Sequence, residues 1–439
     1  MIEPKADLFE DMRAKRLLVA LSGGADSVAL LVLLVRCAEQ LNISLECAHV
    51  EHGLRGEESF ADADFCKRLC ADLGVPMHMV SVNVPAECAR TGEGVETAAR
   101  KLRHEALEKI RNDISADRIA LAHHRNDQAE TVLMHLLRGS GLKGACGMPR
   151  DDGRLYRPLL NYSKRELEDF LSREGFTWRT DSTNAVADTP RNALRLNVIP
   201  ALEKLYPNAQ NALARFADCA QTENRYMEES TARFLDAHLE CGIFGTRIVH
   251  PEEAHEAILR RAVARILPET IDYDQTMRLV RLAHQTRGRC DISGAYYAEK
   301  TPNALYFVDR RRSVSRAVSI SLNGNTPFLP LGNLEAKVAP AVPSREPFHQ
   351  VLCREALEGA VIRTRQDGDR IRPLGCGERL LSDYLTDKKV DRPLRDFIPL
   401  IARGNRILWA VGYGISEEAK LQPQTERAVA LHWKPLSMF

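Results

Sequence analysis

No Cys-x-x-Cys pair occurs among the eleven cysteines, and the two closest, Cys66 and Cys70, stand four apart, which is also helix spacing. That pattern gives no support to a structural zinc or an iron–sulfur cluster. The thiols read as small buried hydrophobes or inert surface groups. No apolar run approaches the roughly 20 residues of a membrane span; the best, Val28–Val35, is broken at Arg36. The first residues, Met1-Ile2-Glu3-Pro4-Lys5-Ala6-Asp7, have neither a basic start nor an apolar core. They read as no secretory signal, and a cytoplasmic location without a membrane partner is expected. A charge excess is missing too: 61 Lys and Arg face 60 Asp and Glu. Net electrostatics therefore make no case for nucleic acid, and such a partner has to be held by a local basic patch.

What is present is a chain of 439 residues, 44% apolar and 28% charged, the composition of a globular protein. Its length suggests roughly three domains at about 150 residues each. The stretch that organises it is Leu17-Leu18-Val19-Ala20-Leu21-Ser22-Gly23-Gly24-Ala25-Asp26-Ser27, followed by a helical pattern from Val28 to Leu41. Five apolar residues bounded by a turn read as a strand buried on both faces, as in a parallel sheet. Ser22, Gly23, Gly24, Ala25 and Ser27 would leave backbone N–H groups free at the helix start, a cradle for phosphate. The spacing and lysine of a Walker A loop are absent. Asp26 is the odd member. A carboxylate in a phosphate cradle is unfavourable unless a cation lies between, so Asp26 is a candidate Mg²⁺ ligand bridging to nucleotide oxygens. Its bland alternative is a helix-capping aspartate. The string Ser-Gly-Gly-x-Asp-Ser resembles the pyrophosphate-binding loop of the ATP pyrophosphatases, which implies ATP cleaved to AMP and pyrophosphate.

Along residues 17–138 strand and helix patterns alternate. Strands are expected at Ile43–Val50, Met77–Val82 and Arg118–Ala122, and helices at Glu57–Leu73, Gly94–Asn112 and Asn126–Arg138. This alternation argues an α/β fold with a doubly wound parallel sheet, whose ligands sit beyond the carboxyl ends of the strands. Ser22, His49 and His123 would then border one crevice. Gly139-Ser140-Gly141-Leu142-Lys143-Gly144 matches a dinucleotide fingerprint only formally, since it follows a helix, and reads as a loop. Leu155–Leu160 reads as a strand, and Ser163-Lys164-Arg165-Glu166 as a capping box opening a helix that stops at Gly175. Domains are expected at 1–210, at 211–325 with mainly helical patterns, and at 345–439 with short strands and turns; 326–346 reads as a linker or irregular sheet edge. The run Arg310-Arg311-Arg312 is either a phosphate-contacting surface or a basic strand edge. Arg363 to Arg406 holds eleven Lys and Arg against seven Asp and Glu, clustered at Lys388, Lys389, Arg392 and Arg395. Such a cluster is a solvated face or, beside an ATP-using domain, a nucleic-acid footprint.

Asp127 and Glu130, three apart, share one helix face near its start. They suit a metal, a cationic substrate, or simply a helix N-terminus. Adjacent His123 and His124 point opposite ways on a strand and do not make a zinc pair. Several motifs together resemble those of the tRNA(Ile)-lysidine synthetases: His49-Val50-x-His52-Gly53-Leu54-Arg55, Gly94-Val95-Glu96-Thr97-Ala98-Ala99-Arg100, His123-His124-x-x-Asp127-x-x-Glu130-Thr131, and Arg191-Asn192-x-x-Arg195. The C-terminal Gly368-Asp369-Arg370-x-x-Pro373-Leu374-Gly375 and Asp387-Lys388-Lys389 also match. Glu51 and His104 depart from the family pattern, where Asn or Asp and an aromatic are expected. The resemblance implies a PP-loop, adenine nucleotide hydrolase-like N-terminal domain, a helical domain and a small α+β C-terminal domain.

It implies ATP as co-substrate with Mg²⁺, and as partners L-lysine and an isoleucine tRNA with a CAU anticodon. The wobble cytidine would be adenylated, and lysine would then displace AMP. Asp26, Asp127, Glu130 and Arg100 would be catalytic, and Ser22–Ser27 with His49 would bind the nucleotide. His52, Arg55, Arg103, Asp127, Glu130, Arg191, Arg195, Arg370, Lys388 and Lys389 would contact tRNA or lysine. A tRNA thiolase with the same loop is the nearest rival, disfavoured by the missing cysteine pairs. A small-molecule amidotransferase or ligase, and a non-catalytic tRNA-binding protein, are further alternatives. The oligomeric state is open, with a homodimer as one option.

Overall fold

A computed structural model describes every residue except 1, 4, 52–56, 180–188, 243–244, 313, 315, 426 and 437–439. The chain forms two compact units, Met1–Arg225 and Tyr226–Phe439. Among the described residues no helix is long and apolar enough to cross a membrane.

The first unit opens with β1 (Arg16–Ala20), α1 (Ala25–Leu41), β2 (Ser44–Glu51), α2 (Glu57–Asp72) and β3 (Met77–Ser81). Then come α3 (Val84–Thr91), α4 (Val95–Asp113), β4 (Arg118–Ala120), α5 (Arg125–Leu137), α6 (Leu142–Ala145) and β5 (Leu155–Tyr156). It ends with α7 (Lys164–Glu174), α8 (Pro190–Ala193), a π-helical turn at Leu194–Val198, α9 (Ile199–Leu205) and most of α10 (Ala209–His238). The strands lie in the order β3-β2-β1-β4-β5, every neighbouring pair parallel. From β1 the chain steps outward through β2 to β3, then returns to place β4 on the other side of β1. The strand order therefore reverses at β1, and a crevice opens beyond its carboxyl end.

The apolar string predicted as a buried strand is one: Leu17, Leu18 and Val19 have no solvent exposure. Helix α1 is buried almost all round from Val28 to Leu34. One flank packs against the sheet and the others against Phe9 and Met12 of the N-terminal turn and Leu167, Phe170 and Leu171 of α7. A helix apolar on all sides requires such a covering. Truncating one of its leucines to alanine would cost about 2–5 kcal/mol. Helix α7 starts at the expected capping box: Ser163 Oγ accepts from the Glu166 amide and Glu166 accepts from the Ser163 amide. It stops at Gly175, whose φ of 76° is left-handed. The expected loop at Gly139–Gly144 instead leads into α6, anchored where His135 Nδ1 meets the Gly144 carbonyl at 2.7 Å. The strand expected at Leu155–Leu160 stops at Tyr156, after which Leu159 and Tyr162 close a turn.

The second unit carries helices Glu256–Ile266 and Tyr273–Ala283 and a five-stranded antiparallel sheet whose central strand, Ala304–Asp309, is wholly buried. Strands of four to six residues are too short to show a clear period beside such helices. Residues read as a linker pair as strands Gly324–Phe328 and Gly332–Ala339, in a four-stranded sheet with Ala428–Pro435 and His349–Cys353. A mixed seven-stranded sheet is built around Leu400–Arg403 and Arg406–Ala410. Phe328, Trp409, Leu431 and Trp433 share one core.

Candidate active site

The phosphate-loop candidate leaves the carboxyl end of β1. Ser22 and Ser27 hold it closed: the Ser22 amide donates to Ser27 Oγ at 3.2 Å, their hydroxyls lie 3.1 Å apart, and Ser27 Oγ donates to the Gly24 carbonyl at 3.0 Å. Gly23 sits at φ +85°, and a Cβ there would come within 3.2 Å of Cys66 Sγ, so both conformation and space call for glycine. Gly24 is the N-cap of α1, and no side chain caps the helix. The first-turn N–H groups are thus left for an anion, at the positive end of the helix dipole. Arg179 braces the loop from behind. Its amide donates to the Gly23 carbonyl at 2.9 Å and its Nε to Asp62 Oδ1 at 2.8 Å. No spacing in the sequence signals this brace. From the end of β2, buried His49 reaches across to the Leu21 carbonyl at 2.9 Å.

Asp26 lies in the first turn of α1. Its Oδ2 is 3.6 Å from His124 Nε2, and its Oδ1 is buried without a hydrogen-bond partner. His124 caps α5: its Nδ1 accepts from the Asp127 amide at 3.3 Å, and its own amide donates to Asp127 Oδ2 at 3.1 Å. Burial alone would lower the pKa of His124, but the bond to Asp26 and the charges of Asp127, Asp26 and Glu130 raise it on balance. Burial likewise opposes ionisation of Asp127, and His124, His123 and Arg191 outweigh it, holding this carboxyl below its usual range.

Asp127 and Glu130 do share one face, and the structure fills it. Arg191 Nε donates to Glu130 Oε2 at 2.8 Å and its Nη2 to Asp127 Oδ1 at 3.2 Å. Arg195 donates through Nε to Glu130 Oε1 at 2.6 Å, and through Nη2 to Glu130 Oε2 at 2.8 Å and Asp127 Oδ1 at 3.3 Å. Glu130 is 1% exposed. Two carboxylates and two guanidiniums thus form a closed, charge-balanced clamp, and Asp26 adds one further negative charge beside it. Arg191 and Arg195 stand 61 and 65 residues beyond Glu130 in the chain, and no helical spacing could have linked them to the acids.

On α4, Arg100 and Arg103 are exposed. Neither makes an ion pair or side-chain hydrogen bond among the described residues. Surrounding protein, then the like charge of Arg100, lowers the Arg103 pKa. As exposed cations without an acidic partner among the described residues, they suit an anionic oxygen.

Two family models cover most of the chain. A PP-loop domain matches residues 2–202, and a TilS substrate C-terminal domain matches 360–433. The tRNA(Ile)-lysidine synthase of Caldanaerobacter subterraneus subsp. tengcongensis is 31% identical, covering 95% of this chain and 93% of that one. The chain belongs to the tRNA(Ile)-lysidine synthase family. That of Symbiobacterium thermophilum is 35% identical over 90% of this chain and 89% of its own length. Among solved structures, the U34-tRNA thiolase NcsA from Methanococcus maripaludis overlays at a TM-score of 0.42 and 16% identity, covering 49% of this chain and 78% of that one. As a member of this PP-loop family the chain is an ATP-using enzyme.

Of the family-motif residues, His52 and Arg55 lie outside the described residues. Arg370, Lys388 and Lys389 belong to the second unit. Lys388 and Lys389 are exposed at the end of helix Leu381–Asp387, Lys388 Nζ 5.6 Å from the Tyr384 ring centre. Arg370 pairs with Glu378 at 3.2 Å. Asp369 serves the fold: its carboxylate receives Arg363 through bonds of 2.7 and 2.8 Å, both side chains being under 5% exposed. Arg395, counted in the basic cluster, donates instead to the carbonyls of Val390 and Ser382. The run Arg310–Arg312 is a turn whose guanidiniums pair with Asp291 and Asp309.

Proposed function

We propose that this enzyme adenylates the wobble cytidine of an isoleucine tRNA with a CAU anticodon and then joins it to L-lysine. The product would be lysidine, with release of AMP and pyrophosphate, and the codon read would change from AUG to AUA. The observation that carries the reading is the juxtaposition of an uncapped phosphate loop with an acidic cluster at the reversal of strand order. Cytosine O2 attacks the α-phosphorus and pyrophosphate departs; the lysine ε-amine then attacks C2 and AMP departs. Charge builds on the departing pyrophosphate, where the α1 N-terminus and the Ser22–Ser27 loop offer preorganised donors. Arg100 and Arg103 would hold the α-phosphate or the cytidine backbone. The lysine ammonium has to be placed and then deprotonated. Asp127 and Glu130 are its natural partners, and it would enter the clamp by taking over contacts now made by Arg191 or Arg195.

Mg²⁺ fits the same site. Asp26 would hold it through the partnerless buried Oδ1, and the ion would neutralise phosphate charge. Lys388 and Lys389 would bind tRNA backbone, and the chain would pair as a homodimer, which sedimentation tests. The test is incubation with ATP, radiolabelled lysine and CAU-anticodon isoleucine tRNA. Label should enter the tRNA, and Asp26→Ala should abolish it while leaving the fold intact. A folded wild-type protein that transfers no label would refute the assignment.

A further inference from the structure

One polar group in the crevice has no part in the chemistry above. His123 lies three residues beyond the end of β4, beside the clamp. Its Nδ1 is sealed from solvent and has no hydrogen-bond partner. Its Nε2 bonds no described residue, and the residue is only partly buried. Four charged groups from four elements act on the ring: Asp127 of α5, Arg103 of α4, Arg157 just after β5, and Arg191 of α8. Asp127 is already engaged by His124, Arg191 and Arg195, and Arg157 by Asp152 at 3.2 Å. Arg103, with Arg100 one turn away, has no acidic partner among the described residues.

Protonating this ring would add a cation beside three arginines and strand a buried N–H without an acceptor. Burial first, then Arg157, Arg103 and Arg191, against the opposing Asp127, push its pKa down to about 4. The same field decides the tautomer. A sealed nitrogen among guanidiniums is better as a lone pair than as an N–H pointed at them, which leaves the proton on Nε2.

We infer that His123 is a fixed neutral hydrogen-bond donor, through Nε2–H, to a phosphoryl oxygen bound beside Arg100 and Arg103. The inference rests on the adenylation reading, which brings two phosphoryl sources to the crevice, the ATP α-phosphate and the tRNA backbone. It assigns His123 no proton transfer, unlike a histidine general base.

Ring ¹⁵N spectra of the ligand-free chain, with His123→Gln to assign the signal, test the physical basis whatever the substrate is. The Nε2–H tautomer should persist from pH 8 to about 5. A ring that titrates near 6.5 or carries its proton on Nδ1 overturns the inference. The functional arm compares wild type, His123→Ala and His123→Gln in tRNA-dependent ATP–pyrophosphate exchange without lysine, from pH 5.5 to 8.5, with folding checked by circular dichroism. The alanine variant should lose about 100-fold in kcat, as expected for one donor to developing charge. Glutamine, which keeps an N–H but cannot carry a proton, should restore most of it with an unchanged pH profile. Exchange lost at unaltered tRNA affinity places the contact on ATP. Weaker tRNA binding with a salt slope smaller by about one places it on the RNA backbone. Alanine within threefold of wild type, or glutamine as impaired as alanine with an inflection near pH 6.5 removed, overturns the inference.

Discussion

Glu130→Gln tests the clamp most directly. The carboxylate is 1% exposed and takes three of the five hydrogen bonds that Arg191 and Arg195 send into the acid pair. Breaking a fully buried ion pair costs about 3–5 kcal/mol because a charge is left uncompensated. Here the arginine side chains are 23% and 34% exposed. They can turn partly to water, so the expected loss is discounted to about 2 kcal/mol. For a unit of this size that is a fall in Tm of roughly 4–8 °C. Urea unfolding of wild type, Glu130→Gln, Arg195→Met and the double variant gives the coupling energy, expected at about 1–2 kcal/mol with m unchanged. Additivity to within about 0.5 kcal/mol would mean that the two side chains do not meet in solution, and the clamp would be refuted.

Further outcomes follow from other residues. Gly23→Ala should remove ATP binding and cost about 1–2 kcal/mol, since φ is +85° and Cys66 Sγ blocks the new methyl. Gly153→Ala, at φ +88° with open space around it, should show the backbone penalty alone and keep nucleotide affinity by calorimetry. Asp369→Ala strands buried Arg363 and should cost about 3–5 kcal/mol, read as loss of the cooperative urea transition of the second unit. Lys388→Ala and Lys389→Ala should each weaken tRNA binding and lower its salt slope by about one, measured by filter binding over a salt series. Finally, His123 binds protons more weakly folded than unfolded, so its contribution to stability rises with pH between about 4 and 6.5, by about 3 kcal/mol at most. His123→Gln should flatten that acid limb in melting curves. His124, with a raised pKa, acts with the opposite sign: its contribution is present in acid and fades as pH climbs past its raised pKa.

The features that were legible in the sequence are local ones. β1 and the Gly-Gly turn were readable because a buried parallel strand is a continuous apolar run and a tight turn needs glycine. The α7 boundaries were readable because Ser163, Glu166 and Gly175 each satisfy a terminal backbone group within four residues. Contacts between distant segments were not readable. Arg191 and Arg195 meet the acid pair across 61 to 68 positions, and Arg179 reaches Asp62 across 117. Their side chains are charged and their spacing ordinary, so only the fold says which charge is partnered. The same holds for Arg395 and Asp369, two residues of the basic C-terminal motifs that turn out to hold backbone carbonyls and a buried guanidinium. The short strands of the second unit carry too few residues for a period of two to stand out.

The π-helical turn at Leu194–Val198 has a cause and a consequence. Pro200 sits in the first turn of α9, and its ring would collide with the carbonyl four residues back in a regular helix while offering no N–H to it. Widening the helix relieves that collision: the Ile199 amide bonds the Leu194 carbonyl, five residues back. The segment therefore carries one residue more than an α-helix of the same rise would need. Arg191 lies three residues before that surplus turn and Arg195 within it, so a proline makes the angular offset of the clamp from α9 an inherited dimension of the chain. Losing a single residue between Leu196 and Val198 would leave a more regular helix and swing the two guanidiniums about 100° around its axis, away from the acids they neutralise.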